Sequence, residues 1–151
     1  PEVVTIADTP RPTPKDDELL VEVHASTVTD CGFRAAHPWF VRFFSGRRRP
    51  RASVRGCEFA GVVEVVGSAV TSFAAGDRVF GYRDTTFGGH AEHMTIAEDG
   101  PVATMPANAT LAAASTEGAH YALTYRNKGQ VRAGQRVFVS GATGAIGSAA
   151  V

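Results

Sequence analysis

The chain has 151 residues, 44% hydrophobic and 20% charged, and its 15 basic and 15 acidic side chains balance to a formal charge of zero. This composition supplies a packable core and so excludes a disordered chain. The charge balance argues against a protein that as a whole binds nucleic acid or a membrane surface. The length allows one domain, or one domain and a fragment of a second. Cys31 and Cys57 are the only cysteines, which suits a reducing cytoplasm better than a disulfide scaffold. No apolar run approaches the roughly 20 residues of a membrane span, and no signal peptide opens the chain, so a cytoplasmic location is expected. The start at Pro1 without Met, and the stop at Val151 a few residues into a helix-like run, suggest a fragment.

In chain order, residues 3–6 are strand-like, and after the turn-rich stretch 10–17 (PRPTPKDD) residues 19–23 read as a strand. An aromatic and basic segment follows, residues 37–44 (HPWFVRFF) with Arg47, Arg48, Arg49, Arg51 and Arg55 behind it. It reads as an anchored loop with some rings lining a cleft; a pocket lid and a dimer contact are the alternatives. Residues 58–66 (EFAGVVEVV) are apolar, rich in β-branched side chains and closed by Gly67. Residues 77–82 follow the turn residue Gly76, and runs at 90–97 and 102–105 are separated by Glu98-Asp99-Gly100-Pro101. Short strands punctuated by Gly, Pro and Asp predict a small barrel or a folded-over sheet. His90 and His93 do not form a metal pair on such a strand, because residues three apart face opposite sides; ordinary surface and barrel positions are expected for both.

The period then changes. Residues 111–128 are Ala-rich, contain no proline and only Gly118 as an internal glycine, which predicts one or two helices. Asn108 or Thr110 suits the N-cap and Gly129 the stop. Residues 136–140 read as a buried strand, so the architecture changes near residue 110.

That strand runs into a turn with glycine at every third position, Gly141, Gly144 and Gly147, and then into small residues that start a helix. Such a turn presents unpaired N–H groups to a pyrophosphate, and glycine lets the backbone approach it closely. Strand before and helix after are the context that supports the motif. Gly141, Ala142, Thr143, Gly144, Ala145, Ile146 and Gly147 are therefore the expected cofactor-binding residues. The alternative is a tight turn that binds nothing. The residue separating NAD from NADP would stand about 20 residues past the last glycine, beyond Val151.

Four landmarks in this order, residues 12–23 (PTPKDDELLVEV), 56–67 (GCEFAGVVEVVG), 76–81 with 88–92 (GDRVFG and GGHAE), and 134–147 (GQRVFVSGATGAIG), resemble the quinone oxidoreductase branch of the medium-chain dehydrogenase/reductase superfamily. The resemblance spans nearly the whole chain. It implies a mainly β, GroES-like barrel, the α+β catalytic domain, over residues 1–110. Linking helices and the first strand–turn–helix of a Rossmann domain would follow over 111–151, with an active site in the cleft between the two domains. It also implies NADP(H) as cofactor, with NAD(H) as the alternative, a small-molecule quinone or enone substrate, and a homodimer when the protein is complete.

Zinc-dependent members of the superfamily carry Cys where this chain has Thr27 and His where it has Cys57, with a third ligand near Thr116. A tetrahedral site needs three N, S or O ligands directed at one point, and only Cys57 and Glu58 remain, as neighbours on one strand. No zinc is expected, and an unusual site using Cys31, Cys57 and a histidine is the alternative. Without a Lewis acid, reduction of a quinone or activated double bond is easier than oxidation of an alcohol.

The resemblance places Thr27 and Asp30 on the loop facing the nicotinamide. The Thr27 hydroxyl could donate a hydrogen bond there, or it could close a local Ser/Thr turn. His120 stands where relatives have Thr, and it would donate to the cofactor or relay a proton, unless it is simply a satisfied core histidine. Phe33 is the nearest ring to the family's usual aromatic position, and Trp39 and Cys57 complete the expected substrate pocket. Two rival functions stay open: a zinc-containing, alcohol dehydrogenase-like aldehyde or ketone reductase, and a catalytically silent binding protein that keeps the fold.

Overall fold

The computed structural model describes residues 6–28, 54–83, 86–114, 130 and 132–143. β-branched and apolar side chains alternating with polar ones make five strands: β1 (Glu18–Ala25), β2 (Glu58–Val66), β3 (Arg78–Tyr82), β4 (His93–Ala97) and β5 (Val102–Thr104). They form one sheet in the order β4-β1-β2-β3-β5, and every pairing is antiparallel.

Connectivity forces this sheet to curl. β4 and β5 lie at opposite edges, four strand spacings apart, which is about 19 Å across a flat sheet. Yet Ala97 and Val102 are joined by a short turn in which Gly100 N–H donates to the Ala97 carbonyl at 3.0 Å. Even fully extended, that connection would reach only about 17 Å. The two edges are thus drawn toward each other, giving the folded-over, barrel-like shape expected from the sequence. No ladder joins β4 to β5 among the described residues.

The inner face is a single apolar cluster of Leu19, Val21, Phe59, Val63, Val79, Met94 and Ile96, with Val23, Val66, Val70, Phe73 and Val102 packed around it. In the second half of β1 the alternation is visible residue by residue: Val21 is buried and Val23 partly so, while Glu22 and His24 face solvent. The register of β1 against β2 shifts twice, between Leu20 and Val21 and between Val23 and Ala25. Bulges of this kind bend a strand and redirect its end. The second one stands immediately before Ser26 and Thr27.

Two expectations change. The run at 90–97 is a strand only from His93 onward, because the preceding residues belong to a tight turn described below. Residues 136–140, expected as a buried strand, have no ladder partner among the described residues; Val137 is 58% and Phe138 92% exposed. The physical reason is that a strand is buried by its neighbours, and among the described residues none lies beside this one. The predicted helical run begins as a four-residue turn, Leu111–Ala114, and its remainder to residue 128 lies outside the described residues, as do residues 3–5. Ile6, the last of that first run, is fully exposed and outside any strand.

Candidate functional site

The end of β1, the start of β2 and the turn before β4 converge on Thr27. The turn is held by main-chain bonds to the segment entering β2. Gly88 and His90 N–H both donate to the Arg55 carbonyl, at 3.3 and 2.8 Å, and Gly89 N–H donates to the Gly56 carbonyl at 3.0 Å. Glycine is required at both contact points. A Cβ on Gly89 would stand 2.5 Å from the Glu58 carbonyl oxygen and 3.1 Å from Ser26 Oγ. Gly56 has φ of +89°, and a Cβ there would stand 2.5 Å from the His90 ring. A left-handed φ with no room for a side chain is a glycine position.

This close packing delivers His90 to the Thr27 loop. His90 Nε2 lies 2.9 Å from the Thr27 carbonyl oxygen. A carbonyl only accepts, so Nε2 carries the proton. On its other side, the Thr27 hydroxyl donates to Glu58 Oε2, and Ser26 Oγ donates to the Glu58 carbonyl at 2.7 Å. Glu58 is only 3% exposed, and its Oε2 is the acceptor of the Thr27 bond.

One sequence alternative is corrected by this geometry. Thr27 does not close a local Ser/Thr turn, since its partner is 31 positions away. Its hydroxyl donates instead to Glu58 Oε2. Cys57, expected beside the substrate, is a half-buried thiol outside any disulfide, next to Glu58. His90 is exposed, as expected from the sequence, but it also bonds the Thr27 carbonyl, which the sequence does not announce. No periodic pattern could have found its partner, which is 63 positions away. The glycine pair preceding it is the available signal, since adjacent glycines mark a close backbone approach.

His90 and His93 go to different partners, in keeping with their spacing. His93 Nε2 is 3.3 Å from Glu64 Oε2, and Glu64 also pairs with Arg11. Among the described residues, no three His, Cys, Asp or Glu side chains are arranged to hold a metal ion. A separate open cleft of about 370 Å³ lies between Thr9, Pro10 and Pro12 and the near end of β4, lined also by Arg83, Phe87 and Met94. Arg83 donates to Thr86 Oγ1 at 2.7 Å and to the Thr95 carbonyl at 2.8 Å. Burial lowers its pKa, and the carboxylate of Glu18 works in the opposite direction. None of residues 26–28 lines this cleft.

Asp30, Phe33, Trp39 and His120 lie outside the described residues, as do Thr116 and the second half of the glycine turn, Gly144, Ala145, Ile146 and Gly147. The first half is described. Gly141 has φ of +74°, and nothing lies within 4 Å of where its Cβ would be. Gly141, Ala142 and Thr143 are all exposed.

A family model described as the alcohol dehydrogenase GroES-like domain matches residues 15–107. A quinone oxidoreductase from Pongo abelii is 35% identical across 99% of this chain, which covers 45% of that protein. Among solved structures, an alcohol dehydrogenase superfamily protein from Novosphingobium aromaticivorans superposes with a TM-score of 0.75 at 27% identity, over 95% of this chain and 44% of that one. The Escherichia coli quinone oxidoreductase complexed with NADPH gives a TM-score of 0.60 at 26% identity, over 80% of this chain and 34% of that one. The chain thus spans a little under half the length of the curated relative it matches.

Proposed function

Because the chain belongs to the alcohol dehydrogenase GroES-like domain family, we propose that the full-length protein carrying it reduces quinones or α,β-unsaturated carbonyls with NADPH and without zinc. The observation that carries the zinc-free reading is the bond from the Thr27 hydroxyl to the buried Glu58. Zinc-dependent relatives use Cys at the Thr27 position, and here that side chain is neutral, hydroxylic and already engaged. The described donor set does not fit a tetrahedral zinc, and no step is assigned to a metal.

NADPH supplies the hydride when bound. In this reading the backbone amides of residues 141–147 hold its pyrophosphate, consistent with the open, left-handed Gly141 and with the charge preference of such turns. Thr27 accepts a hydrogen bond from an N–H or O–H of the bound pair and so orients it. Asp30 and His120 are the proposed proton-handling groups, with His120 the donor to oxygen as negative charge develops there. Phe33, Trp39 and Cys57 line the substrate pocket. The likeness to a structure solved with NADPH supports NADP(H) over NAD(H).

Steady-state assays of the full-length protein test this reading. Expected is NADPH-dependent reduction of a quinone or an enone that survives metal chelation, in a protein without stoichiometric zinc. Turnover confined to saturated aldehydes, or one zinc per active site, would overturn it.

A further inference from the structure

We infer that His90 is a positioning residue for Thr27, fixing the loop through the main chain while Glu58 fixes the direction of the hydroxyl. The inference rests on the reading of Thr27 as part of the reductase site. Three independent observations meet in it. The His90 Nε2 proton has a defined acceptor, the Thr27 carbonyl at 2.9 Å. The turn carrying His90 is bonded at three points to Arg55 and Gly56, so the imidazole is mounted on a fixed base. That base sits on Gly89 and Gly56, where any side chain would collide with Glu58 or with His90 itself. The same few atoms therefore set the height of Thr27, through its carbonyl, and the orientation of its oxygen, through Glu58 Oε2.

Beyond the Thr27 and Ser26 hydroxyl bonds to Glu58, Thr27 stands at an open strand end. It follows a register shift at the end of β1, and the next residue, Val28, is 74% exposed. Release of the His90 bond would leave the Thr27 backbone free to turn while its hydroxyl stayed tethered, moving the lone pairs presented to a ligand. Misorientation of a positioning group acts on turnover more than on cofactor binding.

The ring and the bond can be separated by substitution. His90→Phe keeps a ring packed over Gly56 but removes the donor. His90→Gln removes the ring and places an amide N–H near the position of Nε2. In the full-length protein with NADPH and a quinone, His90→Phe should lower kcat by about tenfold, the size of one lost hydrogen bond. The KM for NADPH should change little, and His90→Gln should recover most of the loss. Any outcome in which His90→Gln is not the more active of the two overturns the inference, including both matching the wild type or both failing equally.

A second readout does not depend on turnover. Imidazole ¹⁵N shifts should identify His90 as protonated on Nε2, the tautomer that its bond to the Thr27 carbonyl requires. Amide hydrogen exchange at residues 26–28 should be faster in His90→Phe than in His90→Gln. If the wild type shows no NADPH-dependent turnover but these signatures hold, the proposed function fails and the His90 clamp stands. An active wild type with the opposite tautomer and unchanged exchange overturns the clamp and leaves the proposed function standing.

Discussion

β2 and the stretch at 136–140 are both short apolar runs ending in glycine, yet they have opposite fates. In β2, Phe59 is 0% exposed and lies in a cluster fed by all the long strands. In the later run, Phe138 is 92% exposed. The difference is in the neighbours: β2 has β1 on one side and β3 on the other, whereas residues 136–140 have no strand beside them among the described residues. Hydrophobic sequence is thus necessary for burial, but the partner strands confer it.

The largest effect that would sharpen this contrast is on Phe59. Phe59→Ala should lower unfolding stability by about 3–5 kcal/mol, through lost burial and the cavity left behind, as read from the shift in a urea midpoint. A cost below about 1 kcal/mol would mean that the cluster is not the core.

A smaller, pH-dependent effect tests how the β4–β5 turn is tied down. Glu98 Oε1 accepts from Thr71 N–H at 2.8 Å, from Thr71 Oγ1 at 3.3 Å and from Ser72 N–H. A side-chain bond from Ser72 foremost, then the backbone N–H groups of Thr71 and Ser72, hold its pKa below the ordinary 4.5. A carboxylate depressed in the folded state contributes stability that is complete above the unfolded value and is lost as pH falls through the folded one. The advantage of wild type over Glu98→Gln should therefore be full above about pH 4.5, decline as pH falls below that value, and be gone only below the lower, folded-state pKa. A difference between the two that is constant from neutral pH to pH 3 would contradict this (roughly the lower limit of carboxylate titration).

The smallest effect is expected at Phe138. In the 151-residue chain, Phe138→Ala should change stability by no more than about 0.5 kcal/mol, as for other exposed positions. In the full-length protein, where we propose that parallel strands cover this segment, the same change should cost about 3–5 kcal/mol. Equal, negligible effects in both would break the Rossmann reading of residues 136–147.

The strands are legible in the sequence to different degrees, for reasons that individual residues make plain. The run at 58–66 coincides with β2 residue for residue, because Gly67 ends it and its apolar side chains leave no other place for it. β1 extends past the expected 19–23 to Ala25, since Ala25 still pairs with Ala60 across a bulge that no local pattern announces. The run at 90–97 loses its first residues to a turn whose acceptors, Arg55 and Gly56, are remote in sequence. The presence of Thr27 and Cys57 in place of metal ligands is visible in the sequence alone. That Thr27 gives its proton to Glu58 and its carbonyl to His90 is not.

Sequence by itself determined the β-rich class of the first two-thirds, the approximate places of β1 to β5, the resemblance to a reductase family and the chemical types at the candidate site. Alternation, turn residues and side-chain chemistry are local properties, so they can be read without coordinates. Tertiary structure alone decided the curl of the sheet, the exposure of Phe138 and the convergence of His90 and Glu58 on Thr27. The convergence joins groups tens of residues apart, brought within a few ångströms by strand pairing and by two glycines that let the backbones meet, whereas the exposure of Phe138 reflects the lack of a strand beside it among the described residues.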